Sequence, residues 1–291
     1  MPEQRSKGAS LAAIVELAKV RITIAVTLST LTGYILYSGV IDAKALWASL
    51  GVFLLASSSS ALNQYQERKT DALMTRTRKR PLPSGRLSIS QAFSVIILLF
   101  VAGSIILYLQ TNLLSLGLGM LTFVWYNAFY TPLKYRTVYA LLIGSVIGAL
   151  PPVIGWTAAG GEITATPALY LAFFIYLWQV PHFILLLLMY GDDYRKAGLP
   201  VLTTYFSHVG VQRIMFVWIN GTMITGFMLP FICRLDYLVS ILLMFVLSAG
   251  LPLSMLLFVL TKTYFNPKRA FILMNVYLLL VMVIISIDRL L

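Results

Sequence analysis

Residues 63–88 read NQYQERKTDALMTRTRKRPLPSGRLS, a polar island in a chain that is otherwise largely apolar. Asn63, Glu67 and Asp71 follow one another at four-residue spacing. On an α-helix each step of four turns the side chain by only about 40°, so the three oxygen-bearing groups share one face. Carboxylate and amide oxygens suit a hard cation such as Mg2+, which takes one or two carboxylates and fills its remaining positions with water and phosphate oxygen. Arg76, Arg78, Lys79 and Arg80 come next, and guanidinium forks match phosphate oxygens in pairs. Acids for a metal beside bases for a phosphate is the arrangement a Mg-diphosphate needs. Taken alone, the stretch also reads as a solvated helix end whose bases meet anionic lipid.

A second cluster shifts the balance. QVPHFILLLLMYGDDYRKAGLPVLT (179–203) sets Asp192 and Asp193 after an apolar run, then Arg195 and Lys196, then a Gly/Pro turn. The order of the first cluster recurs: apolar helix, acids, bases, turn. By itself Asp192–Asp193 reads as a helix-end pair. With both clusters in one chain, the favoured reading is two halves meeting around one metal-diphosphate site. His182 lies roughly 15 Å deeper along the same run. A histidine inside a membrane helix is a site candidate by default; the alternative is a bond to a neighbouring helix backbone.

The elements that must carry these groups are membrane helices. The chain has 291 residues, 59% hydrophobic and 11% charged, with a mean hydropathy of +0.86; a soluble domain carries about 25% charged residues. Apolar runs of spanning length fall at 20–40, 45–64, 91–110, 113–131, 138–158, 166–190, 212–232, 237–261 and 269–288. The expected fold is therefore an all-α membrane protein, 1–291 as one polytopic domain, with about nine transmembrane helices around a central cavity. Continuous runs argue against a β-barrel. One side of this arrangement holds only Lys44, Arg234 and Arg289, leaving 19 of the 22 basic residues on the other. By the positive-inside rule the N-terminus is cytoplasmic, the C-terminus outside, and both acidic clusters face the cytoplasm. The formal net charge of +12 is mostly this topology signal and does not indicate nucleic acid. The N-terminal stretch lacks the marks of a cleavable signal, so direct insertion into a plasma (inner) membrane is expected. Cys233 is the one cysteine, which excludes an internal disulfide.

Four stretches together resemble the UbiA-type intramembrane prenyltransferases, most closely their protohaem IX farnesyltransferase (haem O synthase) branch. They are the 63–88 segment with its Arg76-Thr77-x-x-Arg80-Pro81-Leu82-Pro83-x-Gly85 continuation, YTPLKYRT (130–137), GALPPVIGWTAAGG (148–161) and PHFILLLLMYGDDYRKAGLPVL. The likeness covers most of residues 20–205. Three positions depart from the family pattern: Glu67 and Lys69 stand where it has Asp, and Thr203 where it has Pro. Lys69 removes one ligand and bears on the number of metal ions.

The resemblance implies farnesyl transfer from farnesyl diphosphate to a vinyl group of haem B, giving haem O. Mg2+ would be held by Asn63, Glu67 and Asp71, helped by Asp192 or Asp193. Arg76, Arg80, Lys134, Arg195 and Lys196 would complete neutralisation of the diphosphate. His182 would meet haem iron or propionates, or act as the base when water quenches the cation. Tyr65, Trp125, Tyr126, Tyr130, Trp156, Tyr176 and Trp178 are possible walls for an allylic cation, two or three of them at most. Implied partners are the lipid bilayer, haem B, farnesyl diphosphate, and haem A synthase or terminal oxidase assembly. The nearest rival is the same fold acting on an aromatic quinone or lipid acceptor. A transporter is a rival of another class, but it would place charged sites near the bilayer midplane. A haem-presenting assembly factor would need no diphosphate site.

Overall fold

A computed structural model describes residues 10–260 and 266–291, with side chains at all of these except 208 and 251–260. The first helices are α1 (Leu11–Leu17), α2 (Val20–Ser38), α3 (Ala43–Leu73) and α4 (Ile89–Gln110). Next comes α5 (Leu113–Val124), which runs through a π-helical turn at Trp125–Tyr130 into α6 (Thr131–Leu133). Then come α7 (Ala140–Ala159), α8 (Thr166–Lys196), α9 (Leu202–Tyr205), α10 (His208–Ile232), α11 (Leu238–Leu260) and α12 (Pro267–Leu290). Among the described residues, eight helical runs are long and apolar enough to cross a membrane. The ninth expected span falls on α11, where Leu238–Gly250 is the apolar described part and the expected end at 261 lies outside the described residues.

Local chemistry sets the helix boundaries. Asp42 caps α3 by accepting from the Ala45 N–H, and Tyr34 donates to the same carboxylate. Ser88 and Gln91 form a capping box at the start of α4, satisfying two otherwise orphaned groups. Gly160, at φ 109°, ends α7 in a left-handed turn that suits glycine.

Small residues let the helices close on one another. A Cβ at Gly155 on α7 would overlap the carbonyl of Thr30 on α2, so the two backbones touch there, as small residues allow in membrane bundles. The run Ser57–Ser60 is buried in α3. Ser58 donates to the Ile96 carbonyl on α4 at 2.8 Å, and Ser59 accepts from Asn127 at 2.7 Å. With little apolar driving force between helices in lipid, such packing and hydrogen bonds hold the bundle.

Two helices run further than their apolar stretches. α3 continues from the expected end at 64 to Leu73, and α8 from 190 to Lys196. α8 bends at Tyr190 (φ −124°, ψ 18°). Both extensions carry the acidic clusters beyond the apolar core.

Candidate active site

The four-residue spacing does what helix geometry requires. Asn63, Glu67 and Asp71 lie in continuous helix and are 2%, 5% and 0% exposed. Each meets a cation supplied by another part of the chain. Lys19 Nζ donates to Asn63 Oδ1 at 2.8 Å, Lys134 Nζ to Glu67 Oε1 at 3.0 Å, and Arg80 Nη1 to Asp71 Oδ2 at 2.7 Å. Asn63 Nδ2 donates to Thr131 Oγ1, just beyond the π-helical turn. A π-turn inserts an extra residue into the ladder; here its residue Asn127 also binds α3 through Ser59.

These groups line a polar pocket of about 170 Å³, with Arg76, Arg80, Lys19 and Lys134 set against Glu67 and Asp71. Four cationic side chains against two carboxylates make a wall suited to a polyanion. Burial pushes the Lys19 ammonium down to about 7, with Arg80 acting in the same direction and Glu67 against it. At Lys134 burial is the largest single influence and disfavours the charge, but Glu67, Tyr194 and Tyr130 together hold the ammonium well above its ordinary value. Lys19 is the site residue that sequence reasoning missed. Its signal was a lysine in an apolar stretch at a helix break: it sits between α1 and α2 with φ 50°, a left-handed conformation uncommon for a non-glycine residue.

The donor set fits a small divalent cation. Asp71 Oδ1 is buried with no partner, beside Glu67 one turn away, and an unpaired buried carboxylate oxygen is costly unless something positive meets it. Among the described residues no group of three or more His, Cys, Asp or Glu converges. An ion held here would therefore share its shell with substrate or water.

The second cluster lies where the ends of α3 and α8 come together. Asp193 accepts from the backbone N–H groups of Thr75 and Arg76 at 3.2 and 3.1 Å. The ends of α3 and α8 thus meet, but this carboxylate pins the loop that carries Arg76. Asp192 has an 86% exposed side chain and pairs with Arg195 at 3.3 Å. Arg195 and Lys196 are exposed, and Arg195 also donates to Thr203. None of these four lines the pocket, although Tyr194 between them does. What α8 brings to the site instead is aromatic: Tyr190 lies under the Arg76 guanidinium at 4.6 Å, and Tyr194 under Lys134 at 5.2 Å. Those contacts favour a cation over a ring face.

The polar pocket opens onto a larger, mainly apolar cavity of about 550 Å³, and Lys19, Arg76, Tyr126, Tyr130 and Tyr194 belong to both. Trp178 lines the deeper part. The other candidate aromatics are engaged elsewhere: Tyr65 with Phe93, Trp125 with the Ile143 carbonyl, Tyr176 with Trp218, and Trp156 with the Glu162 carbonyl. His182 faces the cavity, with ring centroids 4.8 Å from Trp178 and 4.6 Å from Phe271. Its Nδ1 is buried without a partner.

Known proteins resemble this chain in sequence and in fold. The model of the UbiA prenyltransferase family matches residues 26–281. A Geobacter sulfurreducens protein named protoheme IX farnesyltransferase is 45% identical over 186 residues, 64% of this chain and 68% of that one. One of the same name from Oleidesulfovibrio alaskensis is 35% identical over 283 residues, 96% and 97% of the two chains. Among solved structures, a digeranylgeranylglyceryl phosphate synthase superposes with a TM-score of 0.77 at 17% identity over 96% of this chain and 98% of that one. A UbiA homolog from Archaeoglobus fulgidus bound to GPP and Mg2+ gives 0.72 at 12% identity, over 96% and 99%. These structural likenesses show a shared fold. The chain belongs to the UbiA prenyltransferase family and is a multi-pass membrane transferase.

Proposed function

We propose that this transferase moves a farnesyl group from farnesyl diphosphate to a vinyl group of haem B, giving haem O. The observation that carries the reading is the junction itself. A pocket in which Glu67 and Asp71 face Arg76, Arg80, Lys134 and Lys19 shares Lys19, Arg76, Tyr126, Tyr130 and Tyr194 with a larger, mainly apolar cavity, so a charged headgroup and an apolar chain have adjoining places. The names of relatives that are 35–45% identical support haem as the acceptor.

Asn63, Glu67 and Asp71 would hold Mg2+, which when bound neutralises charge on the departing diphosphate. Arg76, Arg80, Lys134 and Lys19 donate to the phosphate oxygens, so negative charge developing as the allylic C–O bond breaks meets fixed positive groups. Asp193 keeps Arg76 in place through the loop backbone. Asp192, Arg195 and Lys196, being exposed, carry no step. The farnesyl chain extends into the apolar cavity, where the faces of Tyr126, Tyr130 and Trp178 favour the allylic cation and exclude water. The vinyl π pair forms the new C–C bond, water adds to the adjacent carbon, and one proton is released. His182 lines the same cavity and is the group we assign to the acceptor side, to bind haem or take that proton. In this reading the carboxylate end faces the cytoplasmic side of the plasma membrane, which the bias of basic residues supports.

The test is product mass. Purified protein in detergent receives farnesyl diphosphate, Mg2+ and an equimolar mixture of haem B and 4-hydroxybenzoate. Haem O is the expected product. A prenylated phenol with haem B untouched would replace this reading with the aromatic-acceptor one.

A further inference from the structure

At the end of the bundle away from the carboxylates lies a second pocket, of about 570 Å³, which the proposed reaction does not use. Tyr37, Trp156 and Phe231 give it apolar walls, and Arg234, Arg289 and Thr166 complete its rim. Only three basic residues are expected on this side, and two of them line this one pocket. That concentration opposes the general depletion of Lys and Arg from the non-cytoplasmic face.

Neither arginine is neutralised in a way that accounts for it. Arg234 stands in a left-handed turn, φ 52°, and among the described residues its guanidinium has no ion-pair partner. Arg289 meets Asp236 at 3.3 Å, but that carboxylate is 72% exposed, so solvent screens the pair. The Arg289 Nε is buried with no partner. The nearby carboxylate of Asp288 is already committed to the backbone N–H groups of Asp236 and Tyr237. Thr166 begins α8, a 31-residue helix whose N-cap, Ala165, offers no capping side chain. The positive end of that helix dipole therefore faces the same rim.

Two guanidinium groups, an uncapped helix start and an aromatic-walled slot together call for an anion attached to something apolar. We propose that this pocket binds one anionic phospholipid, its phosphate between Arg234, Arg289 and the start of α8 and its acyl chain along Tyr37, Trp156 and Phe231. The aromatic side chains suit the headgroup level of a bilayer. Forked donors match phosphate oxygens better than a zwitterion's masked charge.

Native mass spectrometry of the full chain in mild detergent, titrated with phosphatidylglycerol or phosphatidylcholine, tests this. One phosphatidylglycerol should be retained in preference to phosphatidylcholine. Arg234→Asn keeps a residue that tolerates the left-handed turn and should weaken phosphatidylglycerol retention about fivefold, with about 25-fold for Arg234→Asn/Arg289→Gln together, taking the usual worth of one basic residue at an anionic surface. Thermal midpoints in phosphatidylcholine show that each variant is folded; if the double variant is not, the single one decides. Equal retention of both lipids, or retention unchanged by Arg234→Asn, would overturn the proposal. Full displacement of the lipid by millimolar inorganic phosphate would assign the site to a free anion instead. Because the readout is bound mass, the outcome stands apart from whichever acceptor the enzyme uses.

Discussion

Asp71→Asn should separate the buried acid from the exposed one. The Asp71 carboxylate is 0% exposed and lies 2.7 Å from Arg80, with its second oxygen unpaired. The amide is nearly isosteric, so the change removes charge and leaves the packing. To keep an oxygen toward Arg80, the amide must turn its NH2 to the unpaired position, which puts a donor where a cation would bind. Stability changes modestly: attraction to Arg80 weakens, but the desolvation of a buried carboxylate is relieved. A net loss of about 1–2 kcal/mol follows from replacing a charge-assisted bond by an ordinary one, a thermal shift of a few degrees. Catalysis should fall further, because a preorganised electrostatic contact at a leaving group contributes about 3–4 kcal/mol, or 10²–10³ in rate. Steady-state haem O formation at saturating Mg2+ measures it, with Asp192→Asn as the paired control. Asp192 is 86% exposed on its side chain and outside the pocket, so its variant should stay within about twofold of the parent, as surface changes do. Arg80→Gln should cost as much as Asp71→Asn, and the double variant little more than either, since the two act as one unit. An Asp71→Asn enzyme that retains more than a tenth of the parent rate, or an Asp192→Asn enzyme as damaged as Asp71→Asn, would refute the assignment.

Other outcomes follow from the same geometry. Chelation with EDTA should abolish turnover, and Mg2+ should restore it while leaving the unfolding midpoint of the ligand-free chain unchanged within a degree or two. Lys19→Met should raise KM for farnesyl diphosphate by about tenfold, the worth of one charge-assisted contact, with KM for haem B little affected. His182→Ala should show the reverse split, raising KM for haem B while KM for farnesyl diphosphate stays within about twofold; equal effects on both substrates would remove His182 from the acceptor side. Gly155→Val would force a side chain into the Thr30 carbonyl and should destabilise the α2–α7 contact by about 1–3 kcal/mol, read as a lower midpoint in detergent.

The sequence determined what depends on local geometry and on water. Apolar length marks helices, because each backbone polar group must be satisfied inside the membrane. The shared face of Asn63, Glu67 and Asp71 follows from 3.6 residues per turn, and the structure buries all three on one helix. The tertiary structure decided what crosses between helices. Lys19 reaches Asn63 across 44 residues of sequence, and Lys134 reaches Glu67 across 67; no periodicity records such pairings. Two adjacent aspartates look alike in sequence, yet Asp193 pins a loop and Asp192 faces solvent. Adjacent positions on a helix point about 100° apart, and only the packing of the α3 and α8 ends decides which of the two meets the 75–76 backbone. Likewise, Tyr126, Tyr130 and Trp178 line the cavity while Tyr65, Trp125, Tyr176 and Trp156 do not. An aromatic side chain gains from burial in either place, so only the packing of the whole bundle chooses between them.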